Sequence, residues 1–221
     1  MTARAGLGQP RKRHDSESST MDAVRLRRVN RWQAQDLSGK LTDLYVDSRE
    51  TSPPEACRRL SRRRFLNRLT ADIRRPGFAL VIAETDRLVG CAFGFPVRGD
   101  GCLWLGVDAA LSRGIGQLTA PGGVFAVTDI LVRPHPRGAH VARRLQDRLL
   151  AGHQAKLGAT LVDGADLPAL AALRSWGWLD VGETWMPIGA TLLRVLVLPV
   201  GERTTARLRG PAHDAWTRWP G

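Results

Sequence analysis

Lysine is nearly missing from this 221-residue chain: three of its 33 basic residues are lysines and the rest are arginines. With 21 acidic residues the net charge is +12. Arginine-rich coding produces such a balance, and so would selection for an anionic ligand, nucleic acid or an acidic membrane surface. Cysteine is also scarce. Cys57, Cys91 and Cys102 form no C-x-x-C pair and leave one over, which argues against a disulfide framework or a zinc site and for reduced intracellular thiols. No apolar run reaches the roughly 18 residues a membrane helix needs. The first twenty residues, MTARAGLGQPRKRHDSESST, lack the apolar segment of a secretory signal. Together these absences lead us to expect a cytoplasmic protein without a membrane partner or a bound metal. Tyrosine occurs once, as Tyr45.

What is present suits a globular domain. Apolar residues make up 43% and charged residues 24% of the chain, ordinary values for one well-cored unit of this length. Residues 1–20 are polar and aperiodic and read as a disordered leader, although Met21 is a second candidate start. Residues 202–221 read as a C-terminal tail. Between them, 21–201 carries the patterns of a single domain. Residues 23–29 alternate like a strand. Leu37, Leu41, Leu44 and Tyr45 share one helical face. Ser61 is placed to cap a second helix bearing Phe65, Leu66, Leu69 and Ile73 on one side and Arg62, Arg63, Arg64 and Arg68 on the other. Residues 77–97 form a hairpin about Thr85-Asp86-Arg87. A short helix is expected near 109–118, then strands at 124–132 and 158–166, a helix at 167–176, and two final strands. That order describes an α/β fold with a mixed sheet flanked by helices.

The stretch Val132 to Leu150, VRPHPRGAHVARRLQDRLL, leaves a strand and turns directly into a helix. A helix N-terminus holds unpaired N–H groups at the positive end of the peptide dipoles, so it is a ready anion site. Pro134 and Pro136 stiffen the turn and Arg137 adds a charge at its mouth. Gly138, Ala139 and Ala142 keep the backbone approachable, while Val141, Leu145 and Leu149 face the sheet. The physical reading is a pyrophosphate cradle. Its glycines match neither the nucleoside triphosphatase loop nor the dinucleotide loop.

The run Val132, Pro134, Arg137, Gly138, His140, Ala142 resembles V-x-P-x-x-R-G-x-G-x-[GA], the acetyl-CoA loop of the GCN5-related N-acetyltransferases (GNAT), with His140 where that family usually has glycine. The segment 165–183 is similar to the family's N-x-x-A-x-x-x-Y-x-x-x-G-F pattern. There Asp166 takes the Asn place, Leu173 the Tyr place, and Gly177-Trp178 the Gly-Phe place. The likeness covers about residues 23 to 200. It implies a single GNAT-like domain with a splayed sheet. Acetyl-CoA would lie between the strands at 124–132 and 158–163. The backbone of Ile130, Leu131 and Val132 would pair with the pantetheine arm. The amides of Arg137, Gly138, Ala139, His140, Val141 and Ala142 would hold the pyrophosphate. An amine acceptor would attack the thioester directly. A homodimer is compatible with the resemblance.

Acyl transfer to an amine needs a neutral amine, a polarised carbonyl and a proton for the leaving thiolate. A backbone N–H on the splayed strand can supply the second. Asp129, on the face of its strand opposite Ile130 and Val132, is the candidate base; the alternative is a carboxylate paired with an arginine. The usual tyrosine acid is replaced by Leu173, and Ser175 nearby is a poor acid. His135 and His140 lie by the phosphates, and Cys91 and Cys102 read as small buried hydrophobes. Asp163, Trp104 and Trp176 are candidates for contact with the acceptor. The competing reading is a non-catalytic protein on the same fold, binding either CoA or nucleic acid. The absence of a nucleic-acid-binding motif and the scatter of the arginines disfavour nucleic acid.

Overall fold

The computed structural model describes residues 24–49, 55–97, 123–186 and 191–200. The expectations for the leader, the helix near 109–118, Cys102, Trp104 and the C-terminal tail lie outside them. The elements run β1 (Arg25–Val29), α1 (Arg31–Asp36), α2 (Ser38–Asp47), α3 (Glu55–Ile73), β2 (Ala79–Glu84), β3 (Leu88–Val97), β4 (Val124–Val132), α4 (Gly138–Leu150), β5 (Leu157–Asp163), α5 (Leu167–Ser175), β6 (Leu179–Met186) and β7 (Thr191–Pro199). The strands form one mixed sheet in the order β1-β2-β3-β4-β5-β7-β6. Among the described residues its one parallel pair is β4 with β5.

Helices cover both faces. On one side α1, α2 and α3 bury Ala34, Leu41, Leu44, Phe65, Leu69 and Ile73 against Leu80, Ile82, Cys91, Phe93 and Leu131 of the sheet. On the other, Val141, Leu145 and Leu149 of α4 and Leu170 and Leu173 of α5 pack on Val81, Ala83, Ala92, Phe125 and Val127. Both cores need strands that are apolar on both faces, which is why β2 and β3 read as nearly continuous hydrophobic runs.

Two helical expectations change. A separate helix α1 precedes α2, started by a capping box in which Asn30 accepts from the Gln33 N–H and Gln33 accepts from the Asn30 N–H. Helix α3 begins at Glu55, so Ser61 lies inside it and caps nothing. The i, i+4, i+8 stripe of Phe65, Leu69 and Ile73 faces the sheet. Leu66 falls at its rim and is 38% exposed, whereas Asp72 is buried on the stripe.

The junction after α5 explains Gly177-Trp178. Gly177 has φ +95°, and the N–H groups of Gly177 and Trp178 donate to the carbonyls of Arg174 and Leu173. This is a Schellman closure, which favours glycine. It drives Trp178 into the core, where its indole Nε1–H donates to Gln146 Oε1 of α4 at 2.7 Å. No helix among the described residues is long and apolar enough to cross a membrane.

Candidate functional site

Strands β4 and β5 pair only over Val124–Ala126 and Leu157–Ala159. Past that point they separate, and the Thr160 hydroxyl donates to the Val127 carbonyl at 2.9 Å as the last link. The rest of β4 keeps its ladder with β3 alone, Ile130 opposite Ala92, Leu131 opposite Cys91 and Val132 opposite Gly90. The edge of β4 that faces β5 therefore opens where backbone pairing with pantetheine was expected. A bulge lies at the start of the opening. Phe93 pairs with Asp129 and Gly94 with Val127, so Thr128 has no opposite residue. Gly94 makes this possible, because a Cβ there would run into the Ala126 carbonyl.

Beyond Val132 the chain turns into α4. Helix α4 has no side-chain N-cap, so its first amides look for other partners. His135 takes two of the turn's donors: its Nδ1 accepts from the Arg137 N–H at 3.1 Å and its carbonyl from the Gly138 N–H at 2.8 Å. The His140 and Val141 N–H groups converge on the Arg137 carbonyl at 3.1 and 3.2 Å. The amide of Ala139 has no such partner among the described residues. Arg137 and Gly138 are thus engaged in shaping the turn, and Ala139 presents a donor outward. A Cβ at Gly138 would meet only ordinary contacts, 3.7 Å from the Arg133 carbonyl and from Val132 Cγ1. Packing does not call for glycine there; an approaching ligand would. His140 is exposed. Arg133 turns away, to the Leu88 carbonyl and the Asp47 carboxylate. At the far end of α4, Arg28 donates to the carbonyls of Arg148 and Leu149 and caps the negative end of the helix.

Asp129 sits at the opening on the face covered by α3. Its side chain is 15% exposed and its Oδ2 accepts from Arg68 at 2.7 Å. Asp129 is therefore paired with an arginine, the alternative to a base that its sequence position raised. Burial pushes its carboxyl up to about 6; Arg68 and Arg49 oppose the rise and the Asp72 charge adds to it. Cys91 faces the same pocket of charge. Burial and then the Asp129 charge push its thiol further up, which makes it inert as a nucleophile. Asp72 is also raised by burial, against the pull of Arg75 and Arg68. Its Oδ1 lies 3.4 Å from Arg75 Nε, while its Oδ2 is buried without a hydrogen-bond partner among the described residues.

The remaining candidates have other work. Asp163 is exposed and its Oδ1 accepts from the Ala165 N–H, closing the turn after β5. Asp166 caps α5 by accepting from the Ala169 N–H. Trp176 packs partly buried on the α4 side of the sheet. Leu173 is buried, and the Ser175 hydroxyl donates to the Ala172 carbonyl of its own helix at 2.6 Å. Sequence reasoning missed Arg68 and Asp72 as neighbours of Asp129. An aspartate on the apolar stripe of α3, four residues after an arginine, was the available signal.

No family model matches the sequence, and no curated protein matches it. Solved structures do. One is a Desulfovibrio desulfuricans protein assigned to the GNAT family of acetyltransferases, at 17% identity and a TM-score of 0.55, covering 81% of this chain and 100% of that one. This chain has the GNAT fold. An aminoglycoside 6'-acetyltransferase of type Ii aligns at 14% identity and a TM-score of 0.56, covering 80% of this chain and 98% of that one. Arabidopsis thaliana NAA60 in complex with a bisubstrate analogue aligns at 10% identity and a TM-score of 0.52, covering 81% and 100%. At these identities the GNAT likeness concerns the fold alone.

Proposed function

We propose that this protein transfers the acetyl group of acetyl-CoA to a primary amine of a small molecule or a protein. The observation that carries the reading is the opening between β4 and β5. It leads to the N-terminus of α4, where no side chain caps the helix and the Ala139 N–H has no partner among the described residues, and it has the raised Asp129 carboxylate on its wall. The residues fit the substrate. The free backbone edge at Ile130, Leu131 and Val132 suits an amide-bearing arm, and the Ala139 N–H, the open surface over Gly138 and the helix dipole suit a pyrophosphate. The acceptor arrives as an ammonium and passes one proton to Asp129, whose affinity near pH 6 lets it hold that proton briefly. The amine nitrogen then bonds to the thioester carbonyl carbon. The carbon–sulfur bond breaks, the nitrogen gives up its second proton to water, and the thiolate leaves with its electron pair and takes a proton from water. With Leu173 buried and the Ser175 hydroxyl engaged, no side chain in that segment offers the proton. A cytoplasmic site of action, where acetyl-CoA is present, is part of the proposal.

Leu173 also supports a second reading, a CoA-binding protein that has lost turnover. Titration calorimetry with acetyl-CoA, followed by CoA release over a panel of amines, separates the two. Micromolar binding with release supports the enzyme, binding without release supports the binder, and no binding at millimolar concentration removes both. Asp129→Asn is expected to lower turnover about a hundredfold with little change in acetyl-CoA affinity.

A further inference from the structure

We infer that Arg68 is a two-position switch, holding Asp129 when the acceptor site is empty and moving to Asp72 when an ammonium arrives. The inference rests on the acetyl-transfer reading and adds a positioning residue to it. Arg68 makes the contacts an acceptor cation would make: its Nη2 donates to Asp129 Oδ2 at 2.7 Å, and its guanidinium lies over the Phe65 ring at 5.6 Å. An ammonium reaching Asp129 must displace it. Such a displacement is costly if the guanidinium is left without a partner, but Asp72 supplies one. It lies four residues on along α3, where side chains meet, and its charge is felt at Asp129 while that of Arg68 is felt at Asp72. Among the described residues its Oδ2 has no hydrogen-bond partner although the side chain is only 6% exposed. Buried carboxylate oxygens are seldom left so. A second position for Arg68 accounts for the vacancy. At 47% exposure the Arg68 side chain has room to change rotamer.

The other groups facing Asp129 do not take that place. From the α2 side, Arg49 donates to the Tyr45 hydroxyl at 2.8 Å and lies over its ring at 4.8 Å, and Tyr45 stacks on Phe65. From β3 the neighbour is Cys91, kept neutral by burial. From the end of α3, Arg75 lies over Phe95 and beside Asp72 Oδ1, leaving Oδ2 unserved.

The test is a titration of the full chain with butylammonium chloride near pH 7.5, followed by NMR. The Asp129 and Asp72 carboxyl carbons and the Arg68 Nε–H are the reporters, assigned with Asp129→Asn, Asp72→Asn and Arg68→Lys. We expect all three to move with one Kd, and that Kd to weaken about tenfold in Asp72→Asn as the displaced charge loses its partner. Retention of native chemical-shift dispersion shows that each variant is folded. A response at Asp129 with Arg68 and Asp72 unmoved overturns the switch, as does an Asp72→Asn Kd equal to that of the wild type, or no response at all. Acetyl-CoA calorimetry on the same samples reports separately on the enzyme reading. If acetyl-CoA fails to bind while the three reporters move together, the switch stands and acetyl transfer falls.

Discussion

Replacing Asp129 by asparagine should make the protein more stable at neutral pH. An ordinary aspartate in the unfolded chain releases its proton near 3.8, and in the folded protein Asp129 does so near 6. Between those values the folded state holds a proton that the unfolded state has lost, so this residue's contribution to stability falls as pH rises. Above pH 6 the full cost of the buried charge is in place; below about pH 4 it is gone. At about 1.4 kcal/mol per pH unit the interval amounts to about 3 kcal/mol. Asparagine occupies the same space without the charge, and Arg68, nearly half-exposed, is free to turn to Asp72. Urea unfolding of both proteins at pH 4, 5, 6 and 7 measures the effect. Asp72 is raised too, and Asp180 is lowered because hydrogen bonds from Arg174 and Arg194 outweigh its burial. The difference between the two proteins removes the Asp180 contribution, while Asp72, which shares Arg68 with Asp129, is pulled down further in the variant and adds to the gain at pH 7. The expected variant gains about 2–3 kcal/mol on the wild type at pH 7 and nothing at pH 4. A gap that is flat with pH, or that favours the wild type at pH 7, refutes the argument that Asp129 is held charged at a cost.

Gly94→Ala should lower stability by about 2 kcal/mol or more, read as a drop in the urea midpoint, because its methyl meets the Ala126 carbonyl and the bulge at Thr128 must reshape. Trp178→Phe should cost about 2–4 kcal/mol in the same assay, since it shrinks a buried ring and leaves Gln146 Oε1 unpaired. His140→Gly should preserve or tighten acetyl-CoA binding by calorimetry, while costing about 0.5–1 kcal/mol in the first turn of α4; a loss of affinity beyond about tenfold would show the imidazole to be a ligand.

Much of the architecture is legible in the sequence because it is local. Alternation in 77–97, the Pro-flanked turn after Val132 and the four-residue spacing of Val141, Leu145 and Leu149 each report their own neighbourhood, and together they give the sheet, the turn and α4. The start of α3 escaped because Ser61 is a good cap wherever a helix begins, and nothing near it shows that the helix already extends back to Glu55. The site is less legible for a different reason. Asp129 and Arg68 are 61 residues apart, and their pairing depends on how α3 crosses the sheet. Asp72 carried a readable signal, a charge on an apolar stripe, but its meaning depends on that same crossing. The sequence shows Gly94 only as one glycine in a strand; its necessity comes from the Ala126 carbonyl on the neighbouring strand.

The bulge and the raised carboxylate are two results of the same local geometry. A regular ladder would pair Thr128 and keep strict alternation along β4. Skipping Thr128 instead sets Asp129 opposite Phe93 on the face covered by α3, the face on which Phe65 and Phe93 meet edge-on at 6.2 Å. That placement deprives the carboxylate of water and raises its proton affinity. It also puts Asp129 within reach of Arg68, which keeps part of its charge satisfied. The same irregularity falls where β4 and β5 part, with Thr160 holding the Val127 carbonyl as the last link. Opening the sheet and burying the acid therefore share a cause, and a change that regularises β4 should lose both together.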